Sequence, residues 1–207
     1  MEEDIDSVIR KLIIALSSND DLVRTRARKA LETIGEAAVP FLAEALVDPD
    51  NIRRWEAAKT LVDIGGPSVA PALVRALENE EFEVRWLAAK GLIETKTEGL
   101  KPLLEALTEH GDSVLLREGA RHVLHELAKE GAREYLHPLL VALEGQAPEM
   151  EVPIKALQTL ESIEKLQEAA RLMNKTLLRR FPALSQRIEY TDPRRRVRRY
   201  VRLHRNV

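Results

Sequence analysis

The sequence predicts an all-α fold: an α-α superhelix (solenoid) of about five helical hairpins plus C-terminal capping helices. Three observations carry that expectation. A motif recurs at intervals of 30, 31, 32 and 36 residues, apolar residues within each unit are spaced three and four apart, and aromatic residues make up only 4% of the chain. A fixed period of this length marks stacked helical units, and interfaces made by Ala and Leu suit them.

The motif is read by aligning segments that begin at Val23, Arg53, Val84, Leu116 and Val152: VRTRARKALETI, RRWEAAKTLVDI, VRWLAAKGLIET, LREGARHVLHEL and VPIKALQTLESI. One Leu recurs as Leu31, Leu61, Leu92, Leu124 and Leu160, with a small residue four positions earlier as Ala27, Ala57, Ala88, Ala120 and Ala156. Between these segments an Ala-Leu pair recurs at Ala15-Leu16, Ala45-Leu46, Ala76-Leu77, Ala106-Leu107 and Ala142-Leu143. Leu12, Leu42, Leu73, Leu103 and Leu139 precede those pairs by one helical turn. Each unit is therefore a helix A, a short turn and a helix B, each helix with one apolar stripe.

The punctuation fits. Gly35, Gly65 and Gly66 stand where helix B should stop, and Pro40, Pro71, Pro102 and Pro138 fall early in helix A. Asp20, Asp50, Glu81 and Asp112 precede helix B. The three Asp are expected as N-caps, and all four suit the positive end of the helix dipole.

Composition narrows the function. Cysteine is absent, which excludes disulfides, thiolate metal sites and a cysteine nucleophile. No apolar run approaches the roughly 18 residues that span a bilayer, so no membrane partner is expected. The acidic start MEEDIDSVIRKL does not read as a signal peptide, and a cytoplasmic address is expected. The net charge of −2 conceals an asymmetry, since residues 187–207 hold eight Arg against Glu189 and Asp192. A mildly acidic body thus ends in a basic segment.

The pairs Val23-Arg24, Arg53-Arg54 and Val84-Arg85, the alanine-leucine cores after them and Ile34-Gly35 or Ile64-Gly65 resemble HEAT-like repeats. The similarity is to the short type named after phycobilisome lyases and covers roughly residues 5–163. It implies a fold and leaves function open, since such repeats serve scaffolds, chaperone-like lyases and regulators. It also implies that helix B lines a concave surface. The expected organisation is a solenoid over 1–163, a capping helix over 164–186 and an arginine-rich segment over 187–207.

Candidate binding residues follow from helical geometry. With the first apolar residue of helix B as position zero, core positions centre near about 25° and position two falls at about 200°. Position two is Trp55 in the second unit and Trp86 in the third, with Lys59 and Lys90 at position six and Val62 and Ile93 at position nine. The two tryptophans are expected on the outward side of neighbouring B helices, roughly 8–10 Å apart. Two readings stand: a contact for a protein partner in the groove, because Trp beside Lys and aliphatic groups has the composition of a binding hot spot, or packing across adjacent helices.

Arg24, Arg54, Arg85 and Arg117 form a second column. Its match to the repeat motif favours helix-dipole and ion-pair roles over a phosphate-binding ladder. Glu118, His122 and His125 share one helical face, but a single His-Glu pair, His125-Glu126, gives little support to a metal site. No glycine-rich phosphate loop, nucleophile elbow or zincin motif is present, and neither catalysis nor a cofactor is expected.

In the last segment, Asp192-Pro193 reads as a helix start, followed by Val197, Tyr200, Val201 and His204 on one face. Arg194, Arg195, Arg196, Arg198, Arg199, Arg202 and Arg205 supply charge for electrostatic docking. The segment reads as a dock for an acidic protein, as a grip on nucleic-acid phosphates with Tyr200 stacking, or as a solvated tail. The reading adopted is a noncatalytic scaffold or adaptor. The alternatives are nucleic-acid binding through the arginine-rich end and an auxiliary lyase or chaperone for a pigment-bearing protein.

Overall fold

The structure, a computed structural model, describes the backbone of residues 4–180 and their side chains except those of 130, 131, 174 and 176–180. The arginine-rich segment 187–207 and the end of the expected capping helix lie outside the described residues. Every regular element among the described residues is helical: α1 Ile5–Ala15, α2 Asp21–Ile34, α3 Val39–Ala45, α4 Asn51–Ile64, α5 Ala70–Ala76, α6 Phe82–Thr95, α7 Thr97–Glu109, α8 Val114–Leu127, α9 Arg133–Leu143 and α10 Pro148–Arg180. The odd-numbered helices are the A helices, and α2, α4, α6 and α8 are B helices, with the fifth B segment forming the start of α10. The fold is the helical-repeat solenoid that the periodicity predicts.

The chain divides into two compact units, one ending at Leu160 and one beginning at Glu161. Helix α10 runs unbroken through residue 163, where the repeat region and the capping helix were expected to part. None of the described helices is long and apolar enough to cross a membrane.

In the first unit each B helix packs on the next, α2 on α4, α4 on α6 and α6 on α8, while α1, α3, α5 and α7 pack in a parallel series. The recurring residues make the core. Ala57, Ala88, Ala120 and Ala156 are wholly buried, as are Leu31, Leu61, Leu92 and Leu124, and Leu42, Leu73, Leu103 and Leu139 of the A helices. Alanine at the crossing allows the close approach that a two-layer stack requires, and leucine fills the space between layers. Gly91 extends this logic, because a Cβ there would stand 2.7 Å from Leu73 Cδ1 and 2.9 Å from Val62 Cγ2. The columns fade where the neighbour is missing or the unit ends: Leu12 and Leu160 are half-buried. Position zero is buried as Val84, Leu116 and Val152, whereas Val23 is exposed on the first B helix.

Helix boundaries follow the expected chemistry in part. Asp20 Oδ1 accepts from the Leu22 amide at 2.8 Å, and Asp50 Oδ1 from the Ile52 amide at 2.9 Å. In the fourth unit the cap is Ser113 rather than Asp112, its Oγ accepting from the Leu116 amide at 3.3 Å. Glu81 stands at the N-cap of α6 without capping it, because its longer side chain is drawn to Arg54. Pro40 and Pro71 open α3 and α5, each after a short 3₁₀ turn. Pro102 and Pro138 lie inside α7 and α9, since those helices begin about one turn earlier.

The connection from B to the next A helix requires a positive φ. Gly35 and Gly65 supply it at 72° and 64°. In the third unit Lys96 takes the same role at φ 54°, ψ −133°, a conformation that a Cβ disfavours. Lys96→Gly is therefore expected to raise stability by about 1 kcal/mol, the strain relieved exceeding the added freedom of the unfolded chain. A urea midpoint at or below that of the parent would argue that Lys96 is unstrained.

Candidate functional site

The loops that join A to B share one construction. Arg24 Nη1 donates to the Ser18 carbonyl at 2.7 Å, Arg54 to Asp48 at 2.8 Å, Arg85 to Asn79 at 2.8 Å and Arg117 to Gly111 at 2.7 Å. In each of the first four units the arginine of the second helical turn reaches back six residues and holds the loop that precedes its helix. Within three of the loops, the side chain at the accepting residue takes the amide two residues on, from Ser18 to Asp20, Asp48 to Asp50 and Asn79 to Glu81.

Neighbouring units are joined through the same loops. Arg53 Nη1 lies 2.6 Å from Asp48 Oδ2, and its Nη2 donates to Ser17 Oγ at 2.6 Å. Asn79 Nδ2 donates to the Leu46 carbonyl at 2.9 Å, and Arg54 Nη2 pairs with Glu81 at 3.0 Å. Between α2 and α4, Glu56 is 3% exposed and held on both oxygens, 3.3 Å from Arg24 Nε and 2.9 Å from Arg28 Nη1. The arginine column is thus structural, as the repeat pattern favoured. The backward bond to the loop carbonyl and the buried Glu56 were not foreseen.

The expected binding residues fall into three groups. Trp86 is 53% exposed on α6, with exposed Lys90 one turn on, whose Nζ lies 3.8 Å from Glu94. Trp55 is half-buried, with Lys59 Nζ 4.7 Å from its ring centre in a cation–π contact. Val62 and Ile93 are half-buried, and Val62 packs over Gly91 in the α4–α6 contact. The two tryptophans therefore differ: one is largely presented to solvent, the other is partly enclosed and covered by a lysine.

Further exposed apolar groups accompany Trp86. Phe82 is 64% exposed one turn before it on α6, and Leu22, Ile52 and Val114 are exposed near the starts of α2, α4 and α8. Phe82 and Val114 sit two positions before position zero, within about 40° of position two. That offset was the available signal. A cleft of about 450 Å³ joins the starts of α2, α4 and α6, with Arg24, Ile52, Trp55, Glu56, Glu81 and Glu83 among its lining.

The charge of this edge is one-sided. Stretches 18–25, 48–55, 78–86 and 109–118 hold eleven carboxylates and five arginines. All five arginines (Arg24, Arg53, Arg54, Arg85 and Arg117) bond to loop groups of the protein. Exposed Asp20, Glu80, Glu83, Asp112 and Glu118 leave a negative rim around the apolar groups, while exposed Asp21 is paired with Arg24 Nη2 at 2.8 Å.

The histidine face of the fourth unit is arranged differently from a metal site. Glu118 and His122 are exposed, while His125 Nε2 meets Glu144 Oε1 of α9 at 2.9 Å. Among the described residues no group of three or more His, Asp or Glu is placed to hold a metal ion.

A model of HEAT repeats matches residues 9–92 and again 54–125, more than half of the chain. The chain belongs to the HEAT-repeat family. The solved structure of the complex of CpcE and CpcF of phycocyanin lyase from Nostoc sp. PCC7120 shares 25% identity with this HEAT-repeat chain at a TM-score of 0.46, over 75% of this chain and 99% of that one. An engineered protein shares 19% identity at a TM-score of 0.35, over 83% of this chain and 89% of that one. No curated protein matches the sequence.

The loop chemistry makes stability pH-dependent. Burial is the largest influence on Asp48 and pushes its carboxyl up, but the Asp50 amide, the Arg53 hydrogen bond and the charges of Arg53 and Arg54 together outweigh it. Asp48 therefore titrates below the usual aspartate value. Its contribution is complete above the unfolded pKa of about 3.9 and is lost as pH falls through the lower folded value. Asp48→Asn keeps the acceptor for the Asp50 amide, as Asn79 does in the next loop, and removes the charge. The parent should exceed the variant in stability at neutral pH, with the gap closing in that acid range. Urea midpoints measured from pH 7 to pH 2.5 check this, and a gap that stays constant would contradict it.

Proposed function

We propose that this HEAT-repeat chain is a noncatalytic adaptor that holds a protein partner on the B-helix face of its first unit, at Trp86 and Lys90 with Trp55 and Lys59 beside them. The single supporting observation is the exposure of Trp86 together with Phe82 on one helix. Large aromatic groups held on a rigid helix give up little freedom on binding and dominate interface energetics. Val62 and Ile93 frame the contact from below.

The noncatalytic reading draws support from the fate of the charged groups. Glu56, the most enclosed carboxylate of the face, has both oxygens engaged by Arg24 and Arg28, leaving it poorly placed as an acid or base. The arginine-rich segment, including Arg194, Arg198 and Arg202, is proposed to add electrostatic docking.

Phe82→Ser with Trp86→Ser should leave helicity and urea midpoint close to the parent, since both side chains are exposed, and weaken partner capture by about tenfold or more. Capture is read by affinity purification with the full chain from nuclease-treated lysate of the source cells, followed by titration of the recovered protein. A well-folded double variant that retains its partner fully would overturn the assignment of this face.

A further inference from the structure

We infer that the edge formed by the starts of α2, α4, α6 and α8 docks a cationic segment that carries apolar side chains. This inference rests on the adaptor reading and names the chemistry of the partner. The apolar contribution is a row and not a lone residue: Leu22, Ile52, Phe82 and Trp86 are exposed near the starts of three successive B helices. Beside the row, a cleft lined by Ile52, Trp55 and Glu83 reaches from Arg24 of α2 to Val84 of α6. Such a row, rimmed by charge, is the form of an interaction surface.

The sign of the partner's charge follows from where the arginines point. Each guanidinium of this edge is bonded to a loop carbonyl or loop side chain of its own protein, as with Arg85 Nη1 on the Asn79 and Glu80 carbonyls at 2.8 and 2.9 Å. The positive ends of α2, α4 and α8 are capped in turn by Asp20, Asp50 and Ser113. At the helix starts the groups that face outward are mainly carboxylates, with Glu80 and Glu83 exposed next to Phe82, while Lys59 and Lys90 lie one turn beyond Trp55 and Trp86. An anionic partner would meet this rim with like charge, while Lys or Arg beside aliphatic groups would complement both of its features.

Both tryptophans of the chain, Trp55 and Trp86, lie at this edge, so intrinsic fluorescence reports on it. The full chain is titrated with a tryptophan-free helical peptide with lysine on one face and leucine on the other, and with its counterpart bearing Glu at each Lys position. The lysine peptide is expected to give a saturable shift in emission that weakens steeply with salt, and the glutamate peptide none at the same concentrations. Phe82→Ser should weaken binding about tenfold, and Glu80→Gln with Glu83→Gln at least threefold, each in a chain of parental helicity.

Equal response to both peptides, or a lysine response untouched by these variants, would overturn the inference. If the lysine peptide fails to bind while capture from lysate still depends on Phe82 and Trp86, the edge takes a partner of other chemistry and the adaptor reading stands. If capture is also independent of those residues, both readings fall.

Discussion

One hydrogen bond repeated four times organises this protein. The arginine in the second turn of each of the first four B helices reaches back to the carbonyl six residues earlier, at 2.7–2.8 Å. That contact ties the loop to the helix it introduces and sets how helix A enters helix B. A guanidinium is suited to the task because its planar fork serves more than one oxygen and stays charged under all relevant conditions. Arg54 and Arg85 use a single terminal nitrogen for two successive loop carbonyls. Arg24 and Arg54 extend the device to the next unit through Glu56 and Glu81.

Packing builds on that frame. Buried alanines where B helices approach one another and leucines between the layers make a core from small, regular parts. Dispersion and burial supply the driving force, while the polar joints between loops hold neighbouring units in register. Glu56 illustrates the division. A carboxylate 3% exposed is tolerated only because Arg24 and Arg28 of the preceding B helix meet both oxygens. The same economy of charge leaves the outer edge of the stack acidic and its exposed Phe82 and Trp86 rimmed by carboxylates.

The periodic features were legible in the sequence because they depend on spacing alone. The Ala27-to-Ala156 column is buried throughout, and the Leu31-to-Leu124 positions are buried in every unit that has neighbours on both sides or a layer beneath. Capping was partly legible: Asp20 and Asp50 act as expected, but Ser113 caps in place of Asp112, because Ser113 stands three residues before Leu116 as Asp20 and Asp50 do before Val23 and Arg53. The site was less legible. Angular position separates Trp86 from the core, yet it cannot show that Trp55, at the equivalent place, is half-buried under Lys59. Glu56 was missed because its burial depends on an arginine 28 residues away. Lys96 was missed because nothing in a lysine announces a positive φ.

The structural and functional readings meet in the arginine column: if those guanidinium groups hold loops, they stabilise the stack and leave the edge acidic. The most direct test is Arg54→Lys, which preserves the charge and removes the fork whose Nη1 holds the loop carbonyls and whose Nη2 holds Glu81. Urea unfolding should show a loss of about 1.5–3 kcal/mol, the range for hydrogen bonds made by charged groups. Unchanged stability would mean that charge alone suffices at this position. The loop clamp would then no longer explain either the order of the stack or the sign of its edge.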